Sequence, residues 1–136
     1  MSDDAYLFPP RTTVHDVLGI ETVEATKERV VLEVEVGPKV HQPYGILHGG
    51  VSALLAEGAA SMLGALNVPE GKGVVGTDLN CSHLRPMTKG RLRATAVAVR
   101  IGRTMCVSSI ELSDESGRLI CVARCTLAVV DVPRVD

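Results

Sequence analysis

The sequence predicts an α+β fold, a curved antiparallel sheet wrapped around one long central helix. Three observations predict it. Residues 51–66 are rich in Ala and Leu, lack Pro and are apolar on every face, which reads as a helix buried on all sides. Two strand-like segments precede this run and four follow it, with no second helix among the four. The connections between the later strands are short and contain Gly, as antiparallel hairpins require.

Taken in order, residues 1–11 form a loose arm closed by Pro9 and Pro10. Thr12 or Thr13 caps a short helix through Leu18, stopped by Gly19. Residues 20–25 are a strand candidate. Residues 29–36 alternate, with Val30, Leu32, Val34 and Val36 on one face and Arg29, Glu33 and Glu35 mainly on the other. Gly37 and Pro38 end that strand. The central helix is closed by Pro69 and a turn at 71–73. Strand candidates then follow at 74–84, ending at Pro86, and at 91–101, bounded by Gly90 and Gly102. Residues 104–112 lead into a turn at 114–117, and 119–132 end at Pro133. No repeat, linker or low-complexity segment interrupts the chain, so 1–136 reads as a single domain.

Composition excludes several classes. The net charge of −2 gives no electrostatic case for nucleic acid, and with only Tyr6, Phe8 and Tyr44 aromatic there is no base-stacking platform. The acidic N-terminus MSDDAYLFPP lacks the basic apolar leader of a signal peptide. The run from Gly49 to Val68 has the length of a membrane span, but its central Glu57 and the lack of flanking Lys/Arg argue against one. Cys81, Cys106, Cys121 and Cys125 form no CxxC pair. Cys121 and Cys125 share a strand face about 13 Å apart, too far for a disulfide or a shared metal. All four suit small core hydrophobes in a reducing cytosol, so a cytoplasmic protein without a metal site is expected.

The informative stretch is HQPYGILHGGVSALLAEGAASMLGAL, residues 41–66. Glu57 is the one charge between Gly49 and Pro69. A buried carboxylate must be paired, hydrogen-bonded or shifted in pKa, and such groups cluster at functional sites. His48, Gly49 and Gly50 stand where the helix begins, so backbone N–H groups face outward at its positive end. That end, with Gln42 and His48 as side-chain donors, suits a phosphate or a polarised carbonyl oxygen. Ser61 follows Glu57 by one turn on the same face. Together these groups suit attack on an acyl carbonyl, with Glu57 as nucleophile or as base for water. Alone, Gly49-Gly50 is a turn signal, and His15, His41 and His48 each have an ordinary structural reading.

Spacing adds a constraint. Nine helical steps of ~1.5 Å and ~100° put His48 and Glu57 ~13 Å apart on opposite faces. They cannot act together within one chain, so any shared chemistry crosses a subunit interface.

The residues QPYGILHGGVSALLAE resemble the signature of hotdog-fold acyl-CoA thioesterases of the phenylacetate-pathway (PaaI-like) group. NCSHLRP, GRT and ESGRL extend the similarity, which runs from about Leu18 to Val130. It is closest to the branch acting on aromatic acyl-CoAs, among them 1,4-dihydroxy-2-naphthoyl-CoA and hydroxybenzoyl-CoA. The resemblance implies Glu57 as the catalytic carboxylate. Gln42, His48 and the Gly49 N–H would polarise the thioester carbonyl from the other subunit, and Ser61 would position the water. Met62 and His83 would line the acyl pocket. Arg85, Pro86, Gly102, Arg103 and Thr104 match positions that bind coenzyme A, for which solvated strand ends are the plainer reading. The family needs no cofactor beyond the coenzyme A of its substrate, and forms dimers that pair into tetramers.

Two other functions use the same parts. A hotdog dehydratase or hydratase also pairs a His with an acid across a dimer, but it opens on an HFP-type segment where this chain has QPYGILHGG. A non-catalytic acyl-CoA-binding module of a regulator would carry a DNA-binding segment, and the residues before the first strand offer none.

Overall fold

The computed structural model describes residues 12–132. The arm assigned to 1–11 and the strand stop at Pro133 lie outside the described residues. The elements are α1 (Val14–Leu18), β1 (Glu21–Ala25), β2 (Arg29–Val36), α2 (Gly49–Asn67), β3 (Lys72–His83), β4 (Gly90–Ile101), β5 (Met105–Ser113) and β6 (Leu119–Asp131). The strands form one antiparallel sheet in the order β1-β2-β4-β5-β6-β3. The α+β architecture expected from the sequence is the one observed.

Local chemistry accounts for each start and stop. Thr13 caps α1, its N–H donating to Asp16 Oδ2 at 2.8 Å, and Gly19 closes it at φ 73°, a conformation that favours glycine. The alternation in β2 buries Val30, Leu32, Val34 and Val36. On the opposite face Arg91 and Arg93 of β4 bind Glu33 at 3.0 and 2.7 Å. Burial pushes the Glu33 carboxyl up, but the hydrogen bonds from the two guanidinium groups prevail and hold it below its ordinary range.

Three departures from the sequence reading have a local cause. A short 3₁₀ turn, Pro38–Val40, follows β2. Helix α2 starts at Gly49 rather than at 51, because His48 caps it. The proposed turn at 71–73 is already strand at Lys72, since β6 runs on to Asp131 and offers Lys72 and Gly73 partners.

Helix α2 lies on the inner face of the sheet. Leu55, Ala56, Ala59, Ala60 and Leu63 are buried there against Leu32, Leu92, Ile110, Leu112 and Leu127. Small helix residues let the backbone approach the sheet: a Cβ at Gly64 would stand 2.7 Å from Leu127 Cδ1. Each fully buried Leu contributes about 1.5–3 kcal/mol, so this face accounts for much of the stability. The helix has the length and hydropathy of a membrane span, yet this face is packed into the sheet.

The expectation of burial on all sides is corrected. Ala53, Leu54, Glu57, Gly58, Ser61 and Met62 are only half-buried, and Ala65 is exposed. A single sheet covers one side of a helix. On the other side the chain itself supplies α1, whose His15 ring sits over Gly58.

Strand β3 lies at one edge of the sheet and carries a bulge at Thr77, between Gly76 opposite Leu127 and Asp78 opposite Thr126. The Thr77 hydroxyl donates to Thr126 O at 3.2 Å. In a regular strand Gly76 and His83, seven residues apart, would face opposite sides. The extra residue resets the phase. Gly76 stands opposite Leu127, and Leu79, Cys81 and His83 stand opposite Cys125, Ala123 and Cys121, all on the inner face.

Candidate active site

One group of predicted residues gathers at the start of α2. The loop before it turns at Pro43, with the Gly45 N–H donating to Gln42 O at 3.0 Å. Gly45 has φ 79°, which favours glycine. The loop is sewn to the β3–β4 connection: Leu47 N–H donates to Met87 O at 2.7 Å, and His41 Nε2 lies 2.8 Å from Thr88 O. His41 is therefore structural, as its plain reading held.

The loop leaves two side chains with donors facing outward. His48 Nδ1 accepts the Gly50 N–H at 2.8 Å. The neutral ring must then carry its proton on Nε2, at the exposed edge. Gln42 Oε1 accepts the Tyr44 N–H, which leaves the amide NH₂ as the free end. The next helical N–H groups are used, Gly50 by the His48 ring and Val51 by His48 O at 3.0 Å. Among the described residues the Gly49 N–H has no acceptor. Three donors (Gln42 NH₂, His48 Nε2–H and Gly49 N–H) are thus available around the positive end of α2. His83 from the end of β3 packs onto Gly49, its ring 3.1 Å from where a Cβ would stand.

The second group lies further along α2. Glu57 is half-buried and its side chain crosses to β3, where the carboxyl group lies over Gly76. Among the described residues that carboxylate has no hydrogen-bond or ion-pair partner. Ser61 follows one turn later and Met62 packs against the core. The thiol of Cys125 in β6 is pushed up to about 11, first by burial and then by the negative charge of Glu57 and Asp78. It is a neutral wall beside the carboxylate, not a nucleophile.

One chain does not unite the two groups. Helix geometry separates His48 from Glu57 by ~13 Å on opposite faces. The segments expected to hold coenzyme A are also divided within one chain. Arg85 follows β3, its Nη1 donating to Leu119 O at 2.9 Å, beside Pro86. Gly102, Arg103 and Thr104 form the β4–β5 turn, where Thr104 O accepts the Val129 N–H at 3.0 Å. Leu119 and Val129 stand at opposite ends of β6, ~33 Å apart at strand rise.

Gly76, the Thr77 bulge and Cys125 were missed in the sequence reading. The signal was a glycine inside a strand candidate, which marks a bulge or a close approach. A cleft of ≈ 550 Å³ between residues 86–90 and the 114–118 turn shares only Pro86 with the predicted residues. There Asp114 binds Ser116 and Arg118, and its carboxyl falls to about 2, chiefly through the Ser116 hydroxyl.

Comparison with known proteins gives these groups a context. The model of the thioesterase superfamily matches residues 44–121. A 1,4-dihydroxy-2-naphthoyl-CoA hydrolase of Listeria monocytogenes is 43% identical over 116 residues, 85% of this chain and 94% of that one. A proofreading thioesterase (EntH) of Cronobacter turicensis is 37% identical over 118 residues, 87% of this chain and 86% of that one. The crystal structure of a thioesterase from Haemophilus influenzae superposes with a TM-score of 0.84 at 39% identity, covering 88% of this chain and 83% of that one.

Proposed function

The chain belongs to the thioesterase superfamily and is a thioester hydrolase, and from that premise we propose that it cleaves an aromatic acyl-CoA to the free acid and coenzyme A. The single observation that carries the mechanism is the division of labour along α2: three donors at its start and, further along, a carboxylate without a partner among the described residues. The aromatic preference rests on the Listeria relative, named for an aromatic acyl-CoA.

The complete site is formed by two subunits. Among the described residues strand β3 is an edge of the sheet, which suits pairing with a second copy of itself. In an antiparallel pair, residues opposite one another share a face. A two-fold axis at Asn80 satisfies this, setting Leu79 opposite the partner subunit's Cys81 and Asp78 opposite the partner subunit's Ser82. The bulge at Thr77 then brings Gly76, with Glu57 above it, opposite the partner subunit's His83. Since His83 packs on Gly49, the partner's donor group arrives at this carboxylate. The same register moves the partner's Arg85 and Pro86 toward Gly102, Arg103 and Thr104, about three strand spacings or ~14 Å away. One pairing therefore rejoins both divided sets.

In that site Gln42, His48 and the Gly49 N–H of one subunit polarise the thioester carbonyl. Glu57 of the other takes a proton from a water held by Ser61 as the water adds to the carbonyl carbon. The three donors stabilise the oxyanion, the C–S bond breaks, and coenzyme A leaves as a thiolate that takes up a proton. Met62 and His83 bound the acyl group, and the Arg segments meet the phosphates. No metal or further cofactor takes part in this reading. The protein works in the cytoplasm as one domain, a homodimer that pairs again into a tetramer.

Free-thiol release from a panel of acyl-CoAs tests the proposal. Turnover with kcat/KM highest for aromatic acyl groups is expected. Highest turnover on straight-chain substrates overturns the aromatic assignment. Binding without thiol release, or hydration of an enoyl-CoA instead, overturns hydrolysis.

A further inference from the structure

We propose that Gly76 is a positioning residue for hydrolysis: its missing side chain is the seat on which the Glu57 carboxylate rests. This inference rests on the reading of Glu57 as the catalytic carboxylate. Two observations carry it. First, a Cβ at Gly76 would stand 3.0 Å from the carboxyl carbon of Glu57 and closer still to Oε1. Second, the backbone does not ask for glycine. The positive-φ glycines are Gly19, Gly45, Gly71, Gly90 and Gly117, and Gly76 is not among them. The position therefore accepts an L side chain by conformation and excludes one only through Glu57.

The Thr77 bulge completes the seat. It turns Gly76 toward α2 while keeping Leu79, Cys81 and His83 on the same inner face. No hydrogen bond holds the carboxylate in the described residues, so shape alone keeps it over β3. The neutral Cys125 thiol and the bare Gly76 backbone place no opposite charge against its oxygens.

The obstacle in Gly76→Ala would be the far end of a flexible side chain. The fold can absorb it by moving Glu57, and the cost falls on the reaction. A displacement on the order of 1 Å of a reacting group costs roughly 10²-fold. Gly76→Ala is expected to lower kcat about 30- to 100-fold, with KM within about twofold and the melting temperature nearly unchanged.

A double-mutant cycle with Glu57→Asp reads the coupling. The shorter Asp withdraws from the seat, so adding Gly76→Ala to Glu57→Asp should cost less than about threefold. Equal losses in both backgrounds would overturn the proposal. So would a Gly76→Ala enzyme with wild-type kcat while Glu57→Ala is inactive. An active Glu57→Ala sinks the reading of Glu57 itself, a separate failure. If Gly76→Ala does not fold, the melting temperature of Glu57→Ala/Gly76→Ala decides. Equality with Glu57→Ala shows the collision with the carboxylate, and continued unfolding refutes the seat.

Discussion

Replacing His48 removes two things at once, and two substitutions separate them. The ring accepts the Gly50 N–H through Nδ1 at 2.8 Å, which caps α2. Its Nε2–H is the donor assigned to the thioester oxygen. His48→Ala loses both. Loss of the cap costs about 1 kcal/mol, which lowers the melting temperature of a domain this size by roughly 3–5 °C. Loss of the donor should lower kcat about 10²-fold, the scale of one oxyanion-hole group. His48→Asn keeps a short acceptor over the Gly50 N–H and cannot reach the place of Nε2. It should melt within about a degree of wild type by the cap preference of Asn, while losing kcat as His48→Ala does. Differential scanning calorimetry and steady-state thiol release give the two readings. An Asn variant with wild-type kcat would refute the donor role, and equal melting temperatures for Ala and Asn would refute the cap.

Two further outcomes follow from the edge strand and from the β5–β6 turn. Asn80→Cys should form an intermolecular disulfide on mild oxidation, since paired Cα atoms ~5 Å apart suit the bond, whereas Asp78→Cys should not cross-link to itself; the reverse pattern on a non-reducing gel would move the two-fold axis. The Asp114 carboxyl is depressed from 3.8 to about 2, so its stabilisation is complete above pH 4 and lost as pH falls toward 2. The melting-temperature difference between wild type and Asp114→Asn should accordingly shrink over that window, and a constant difference would contradict the assignment.

Much of the fold was legible because its signals are local. The alternation in β2 and the apolar, proline-free run of α2 each declare their element within a few residues. The Thr77 bulge was not legible, because two residues stand against one only once β6 supplies the partner. Nor does an all-apolar helix say which neighbour covers which side, so the half-buried stripe of Ala53, Leu54 and Gly58 emerged only with the sheet in place. Among site residues, Glu57 and His48 stood out by chemistry, a lone charge and a ring before two glycines. Arg85 and Thr104 each had the plain reading of a solvated strand end, and only strand register set them at opposite ends of the sheet.

The central claim is that each site takes its donors from one subunit and its carboxylate from the other. Co-expression of His48→Ala with Glu57→Ala tests it directly. In a mixed dimer one site carries both lesions and the other carries neither. Random pairing makes about half the dimers mixed, so about a quarter of all sites should be intact under two-fold symmetry. Activity should return to roughly a quarter of wild type from two variants that are each nearly inactive. Activity that stays at the background of the single variants would mean that each site lies within one chain, and would contradict the account.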